Sequence, residues 1–173
     1  LFFIKKLYRI SLGNLNIQVI CQNQNDTEDV QKISQLPLAN FSLIEGSGVS
    51  LTKFRYSEDN REIPNVIMAS RLLCDKGVME FVDAARSLKE SKTNVNMILV
   101  GEPDPDNPSS ITKLQVTSWE REGILEYWGH QEDMEKILQQ SSIVVLPSYR
   151  EGFPKILIEA AACGRAVITT DVP

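Results

Sequence analysis

Histidine is nearly absent. His130 stands alone among 173 residues, which excludes a metal centre built on several imidazoles. Cysteine is scarce too: Cys21, Cys74 and Cys163 lie far apart, without metal-ligand spacing. Their odd number fits a reducing cytosol, and the expectation is that they serve as small buried hydrophobes. No apolar run approaches the roughly 20 residues that a membrane-crossing helix needs. Positive charge is not in excess. A net charge of -5 argues against nucleic acid as the main partner. The Gly-rich stretch Gly46-Ser47-Gly48-Val49 has no following lysine in phosphate-loop spacing, so it reads as a turn or an interdomain hinge.

What is present describes an ordinary globular chain. Hydrophobic residues make up 42% and charged residues 24%. The length suffices for one sizeable core and part of a second. The chain starts Leu1-Phe2-Phe3 without an initiator Met and ends at Asp171-Val172-Pro173, directly after a strand-like run that reads as buried. Neither a charged leader nor a small-residue cleavage site is visible, so the expectation is an internal piece of a longer cytoplasmic protein.

Periodicity divides the chain unevenly. Residues 1–12 read as a helix with a broad apolar face and Lys5, Lys6 and Arg9 outside it, which would pack on its own domain or touch a membrane surface. Residues 17–22 read as a strand, and Asp26-Thr27-Glu28-Asp29 as a helix N-terminus whose acids complement the dipole. Residues 36–60 are weakly patterned around Pro37, Gly46 and Gly48, which places a domain boundary near residue 40, between 1–40 and 41–173. From Asn65 the pattern sharpens. Strands at 66–69, 95–100, 124–128, 143–146 and 166–169 alternate with helices at 77–88, 111–120, 132–140 and 154–163. Continuously apolar strands between helices predict an α/β fold, a Rossmann-like parallel sheet with helices on both faces. Such sheets bind ligands outside the carboxyl ends of their strands.

Three motifs follow predicted strands. The first is Arg71-Leu72-Leu73-Cys74-Asp75-Lys76-Gly77, where Arg71 and Lys76 could face a phosphate or simply be solvated. The second is Tyr127-Trp128-Gly129-His130-Gln131-Glu132-Asp133, where Gly129 permits close backbone approach and His130 reads as a surface or packing residue. The third is Ser148-Tyr149-Arg150-Glu151-Gly152-Phe153-Pro154-Lys155-Ile156-Leu157-Ile158-Glu159. Glu159 sits among apolar residues, and a charge there needs a reason. Gly152 and Pro154 suit a helix start whose free N–H groups could bind phosphate. If residues 152–159 are helical, Glu151 and Glu159 stand about 12 Å apart along the axis. That exceeds the roughly 5–9.5 Å of a shared acid/base pair, which disfavours a glycoside hydrolase. It suits carboxylates gripping opposite ends of one hydroxyl-rich ligand, such as a sugar nucleotide. Asp104-Pro105-Asp106 could hold a divalent cation but lies in a Pro-rich loop, where acidic turns are usually structural.

Together these motifs resemble the retaining two-domain GT-B glycosyltransferases of family 4, over roughly residues 15–173. The wording is similar to bacterial enzymes that build lipid-linked oligosaccharides, capsules or O-antigens, in the branch using UDP-N-acetylgalactosamine-like donors. The resemblance implies the C-terminal donor-binding half of the fold, truncated, with residues 1–40 a remnant of the acceptor domain and 41–173 the nucleotide-sugar domain. It implies that Arg71 and Lys76 neutralise the donor diphosphate, that Glu159 holds the ribose and that Glu151 meets the transferred sugar. The segment of Gly152, Phe153 and Ile156, together with Gln131, would line the nucleoside site. The family needs no metal. Its partners are a nucleotide-sugar donor and a glycan or lipid-linked acceptor, with peripheral membrane association at the inner face of the plasma membrane. Many relatives carry Asp where this chain has Ser50, so no role is carried over to that position. Turnover is not expected from this piece alone. The alternatives are a nucleotide-sugar epimerase on the same fold and a non-catalytic nucleotide-sugar-binding module.

Overall fold

The structure is a computed structural model that describes residues 2–13 and 16–172. Leu1, at the head of the expected first helix, and Pro173 lie outside the described residues. The chain forms two compact units. One runs up to Gly48 and includes Glu151–Phe153; the other comprises Val49–Arg150 and Pro154–Val172.

In the first unit, α1 spans Phe2–Ser11. It lies against the next helix of the same unit, yet its apolar residues remain largely exposed among the described residues, Phe3 at 71% and Ile10 at 70%. Strand β1 (Val19–Cys21) pairs in parallel with β2 (Phe41–Leu43), and α2 (Gln24–Ser34) connects them. The expected helix start at residues 26–29 is too late. Asn23 is extended, and its side-chain oxygen accepts from the Asp26 N–H at 2.7 Å, so the cap lies before the acids. Strand β2 falls in the segment that looked unpatterned, because three residues are too few to display a period of two.

The second unit is built on five parallel strands: β3 (Asn65–Ala69), β4 (Asn96–Val100), β5 (Glu126–Gly129), β6 (Ile143–Leu146) and β7 (Ala166–Thr169). Between them run α3 (Val78–Glu90), α4 (Lys113–Arg121), α5 (Met134–Gln139) and α6 (Lys155–Ala162). The sheet order is β5-β4-β3-β6-β7. The reason the central strands read as unbroken apolar runs is visible in their alternation. Val66, Met68, Met97 and Leu99 pack with Phe81, Val82 and Trp119, whereas Ile67, Ile98 and Val100 pack with Ile137 in a separate cluster. Each face has its own core, so neither register of the strand can be polar.

Three expectations are corrected here. Helix α6 begins at Lys155, with Pro154 as its N-cap, so residues 152–154 are not helical and the helical rise that gave about 12 Å between Glu151 and Glu159 does not apply. The free N–H groups expected at Gly152 are therefore not those of a helix start. Strand β7 is an exposed edge with Ile168 55% accessible, although its composition reads as buried. Cys74 is exposed, whereas Cys21 and Cys163 are buried as expected.

Arg165, only 4% exposed, ties the base of the sheet together. Its Nε donates to the Cys163 carbonyl at 3.1 Å, Nη1 to the Ser141 carbonyl at 3.2 Å, and Nη2 to Ser57. Arg165→Met should cost about 2 kcal/mol in urea unfolding, because buried carbonyls lose charged donors. An unchanged midpoint would mean water replaces the guanidinium.

Candidate functional site

The strand order dictates where a site can form. The chain runs outward from β3 through β4 to β5, then returns to lay β6 on the other side of β3. The loops after β3 and β6 therefore leave in opposite directions and open a crevice at the carboxyl edge. A cavity of about 650 Å³ occupies this edge. It is lined by residues after β3 (Ser70, Arg71), after β4 (Gly101 to Pro105), after β5 (His130, Gln131) and from α6 (Lys155, Ile156, Glu159). Its size suits a nucleotide-sized ligand.

Local chemistry positions each wall. Gly101 has φ +136, and a Cβ there would lie 1.8 Å from the Ser70 carbonyl oxygen, so the β4 loop can approach the β3 loop only through glycine. The Gly101 N–H donates to the Gly129 carbonyl at 2.8 Å, and the Tyr127 hydroxyl donates to the Gly101 carbonyl at 2.9 Å. Burial, with Glu102 and Glu120 nearby, raises the Tyr127 pKa and keeps that hydroxyl a donor. Gln131 donates from Nε2 to the Trp128 carbonyl at 2.6 Å, which folds its side chain back over the end of β5.

The cavity carries mixed charge. Arg71 and Lys155 supply cations; Glu102, Asp104 and Glu159 supply carboxylates. Arg71 Nη1 stands 3.8 Å from Asp104 Oδ2. Glu159 is half-buried, and burial pushes its carboxyl above the ordinary range, with Lys155 and Lys53 opposing the shift. Among the described residues, no group of three or more His, Cys, Asp or Glu side chains is placed to hold a metal ion.

Of the sequence-predicted residues, Arg71, Gln131, Ile156 and Glu159 come from three separate segments, after β3, after β5 and on α6, and line this one cavity. Lys76 is not among its walls. It closes the short 3-10 turn Cys74–Lys76, half-buried, ahead of the left-handed Gly77. Glu151, Gly152 and Phe153 group with the first unit. There the Phe153 ring lies against Gly46, where a Cβ would meet it at 2.2 Å, and the Gly152 carbonyl accepts from Asn23 at 3.4 Å. Sequence reasoning missed Asp104, His130 and Lys155 as walls of the cavity. Lys155, directly after the helix-starting proline, was the one with a local signal; the other two depend on loop adjacency that sequence does not display.

Residues 63–173 match the family described as "Glycosyl transferases group 1". The chain is 33% identical, over 98% of its length, to N,N'-diacetylbacillosaminyl-diphospho-undecaprenol alpha-1,3-N-acetylgalactosaminyltransferase of Campylobacter jejuni, of which it covers 46%. It is 28% identical, over 96% of its length, to the putative teichuronic acid biosynthesis glycosyltransferase TuaC of Bacillus subtilis, of which it covers 41%. The chain thus spans less than half the length of these curated relatives. Among solved structures, Anabaena Alr3699/HepE in complex with UDP superposes with a TM-score of 0.78 at 20% identity, covering 97% of this chain and 49% of the other. That likeness concerns the fold, which is the GT-B architecture expected from the sequence.

Proposed function

The chain belongs to the glycosyl transferases group 1 family, and from that premise we propose that it is the donor-binding part of a retaining family 4 glycosyltransferase. Its donor is a UDP-sugar, with N-acetylgalactosamine or a similar sugar as the group transferred. The observation that carries this reading is the gathering of Arg71, Gln131, Ile156 and Glu159 around one cavity at the carboxyl edge of the sheet.

In this reading Glu159 accepts hydrogen bonds from the ribose diol, because an ionised carboxylate matches paired hydroxyls. The backbone at Gln131 and Ile156 lines the nucleoside. Arg71 balances the charge that develops on the departing diphosphate, and Lys76 is assigned to the same charge on the sequence motif alone. The bond from the anomeric carbon to the phosphate oxygen breaks as a bond from the acceptor hydroxyl oxygen forms on the same face. The acceptor proton passes to the departing phosphate. Glu151 is assigned to the transferred sugar on the sequence motif, and Gly152 and Phe153 to the nucleoside side of the same motif. No metal takes part: Arg71, with Lys76 assigned from the motif, supplies the positive charge that a cation would otherwise bring. The acceptor is a glycan or lipid-linked saccharide, as the name of the Campylobacter relative suggests, and the whole enzyme works in the cytoplasm at the inner face of the plasma membrane. Among the described residues, no helix is long and apolar enough to cross a membrane.

Calorimetric titration tests the reading. UDP should bind this chain more tightly than GDP or ADP, and Arg71→Ala should weaken UDP about tenfold, the worth of a charge-assisted phosphate contact at an exposed site. Failure of all three nucleotides to bind would end the proposal.

A further inference from the structure

The loops that carry Arg71 and Asp104 are stitched together by backbone. The Leu72 N–H donates to the Glu102 carbonyl at 3.1 Å, the Cys74 N–H to the Ser109 carbonyl at 2.8 Å, and the Ile111 N–H to the Leu72 carbonyl at 2.8 Å. Leu73 and Ser110 form an antiparallel bridge. Within the second loop the Asp104 N–H donates to Ser110 Oγ at 2.8 Å. Pro103 and Pro105 flank Asp104 and restrict its backbone. This stitching holds the Asp104 carboxylate beside Arg71, 3.8 Å from Nη1, with both side chains on the cavity wall.

So loose a pair does little for folding: the Arg71 side chain is 66% exposed and that of Asp104 34%. Its consequence falls on what else approaches Arg71. We propose that Asp104 is a resident counterion that makes the cavity discriminate between the sugar-bearing donor and the nucleoside diphosphate left after transfer. This rests on the reading of the cavity as a nucleotide-sugar site. A diphosphate esterified at both ends carries about two negative charges, whereas its free terminal phosphate carries close to one more near neutral pH. A fixed carboxylate beside the phosphate-binding arginine repels that added charge. It also re-pairs with Arg71 as the product leaves. Asp104 therefore penalises the product more than the donor, and is a positioning and specificity residue rather than a group that reacts.

The experiment measures calorimetric affinities of the whole chain for UDP and for UDP-N-acetylgalactosamine, in the unaltered protein and in Asp104→Asn, Asp104→Glu and Asp106→Asn. Asp106 carries the same charge in the same loop but is exposed and does not line the cavity. Asp104→Asn should tighten UDP about fivefold and the UDP-sugar about twofold at low salt, as expected for a charge a few ångströms from the phosphate in a partly solvated site. The difference should shrink at high salt. Asp104→Glu and Asp106→Asn should keep the unaltered ratio of the two affinities. Because the readout is a ratio within one protein, a general loss of fold cannot imitate it. Equal tightening of both ligands, or the same gain in Asp106→Asn, would overturn the counterion while leaving the nucleotide site intact. Absence of binding in the unaltered chain would overturn both.

Discussion

Glutamine in place of Glu159 should weaken UDP about thirtyfold and, at the same time, make the protein more stable. Both effects have one cause. Glu159 sits on α6 between Ile158 and the fully buried Ala160, half-buried itself, at the wall of the cavity. Burial raises its carboxyl pKa above the ordinary glutamate range, and Lys155 and Lys53 offset only part of that. The folded state therefore holds its proton to higher pH than the unfolded chain does. Stability on this account is greatest below the unfolded pKa and declines as pH rises through the raised, folded one. At neutral pH the ionised group is a cost to the fold, and an uncharged amide of the same shape removes it. The melting temperature of Glu159→Gln should exceed that of the unaltered protein near pH 8, with the gap closing as the pH falls below the unfolded glutamate pKa.

The same substitution removes the ionised acceptor. A hydrogen bond to a charged group contributes about 1.5–3 kcal/mol, and the thirtyfold loss lies inside that range. Protonation should mimic it: UDP affinity in the unaltered protein should decline on acidification from a higher pH than an ordinary glutamate would dictate. Stability held in reserve for binding is the usual signature of a functional carboxylate. If Glu159→Gln gained no stability and bound UDP normally, Glu159 would be an ordinary surface residue and the cavity would lose its ribose anchor.

Gly77→Ala is expected to damage the fold at this edge severely, with a loss of about 4 kcal/mol. Gly77 follows the turn that carries Lys76, at φ +80. An alanine Cβ would lie 2.1 Å from the Pro147 carbonyl oxygen and 2.6 Å from its carbon. Neither is the end of a flexible side chain, so backbone must move. The left-handed conformation costs an alanine about 1–2 kcal/mol, and displacing packed backbone adds a similar or larger amount. The displacement would also strain the neighbouring link in which the Tyr149 N–H donates to the Asp75 carbonyl at 3.0 Å. Urea unfolding followed by circular dichroism measures the loss. An unshifted midpoint would show that the loops after β3 and β6 are not in contact as described.

The parts of this molecule that local sequence displays and the parts it hides separate along a physical line. The strands at 143–146 and 166–169 were legible to the residue, since β6 and β7 span those residues. Capping was less so. Thr112 and Gln115 form a capping box that starts α4 two residues after Ile111, the expected first residue. Proline at the head of α6 was read as lying inside the helix, yet it occupies the N-cap. Arg71 and Glu159 were found from chemistry: a cation directly after a strand, and a carboxylate in an apolar helix. Asp104 was read as part of a structural turn, and nothing in its own neighbourhood says that it faces Arg71.

Alternating apolar strands and amphipathic helices follow from periods of 2 and 3.6, which are written in neighbouring residues, so a parallel α/β sheet could be inferred without coordinates. Which strand lies beside which is not written there. Only the return of the chain from β5 to the far side of β3 brings the loops after β3, β4 and β5 together with α6 around one hollow. That adjacency joins residues as distant in the chain as Arg71 and Glu159, and it arises from packing two faces of a sheet at once, a property of the folded whole.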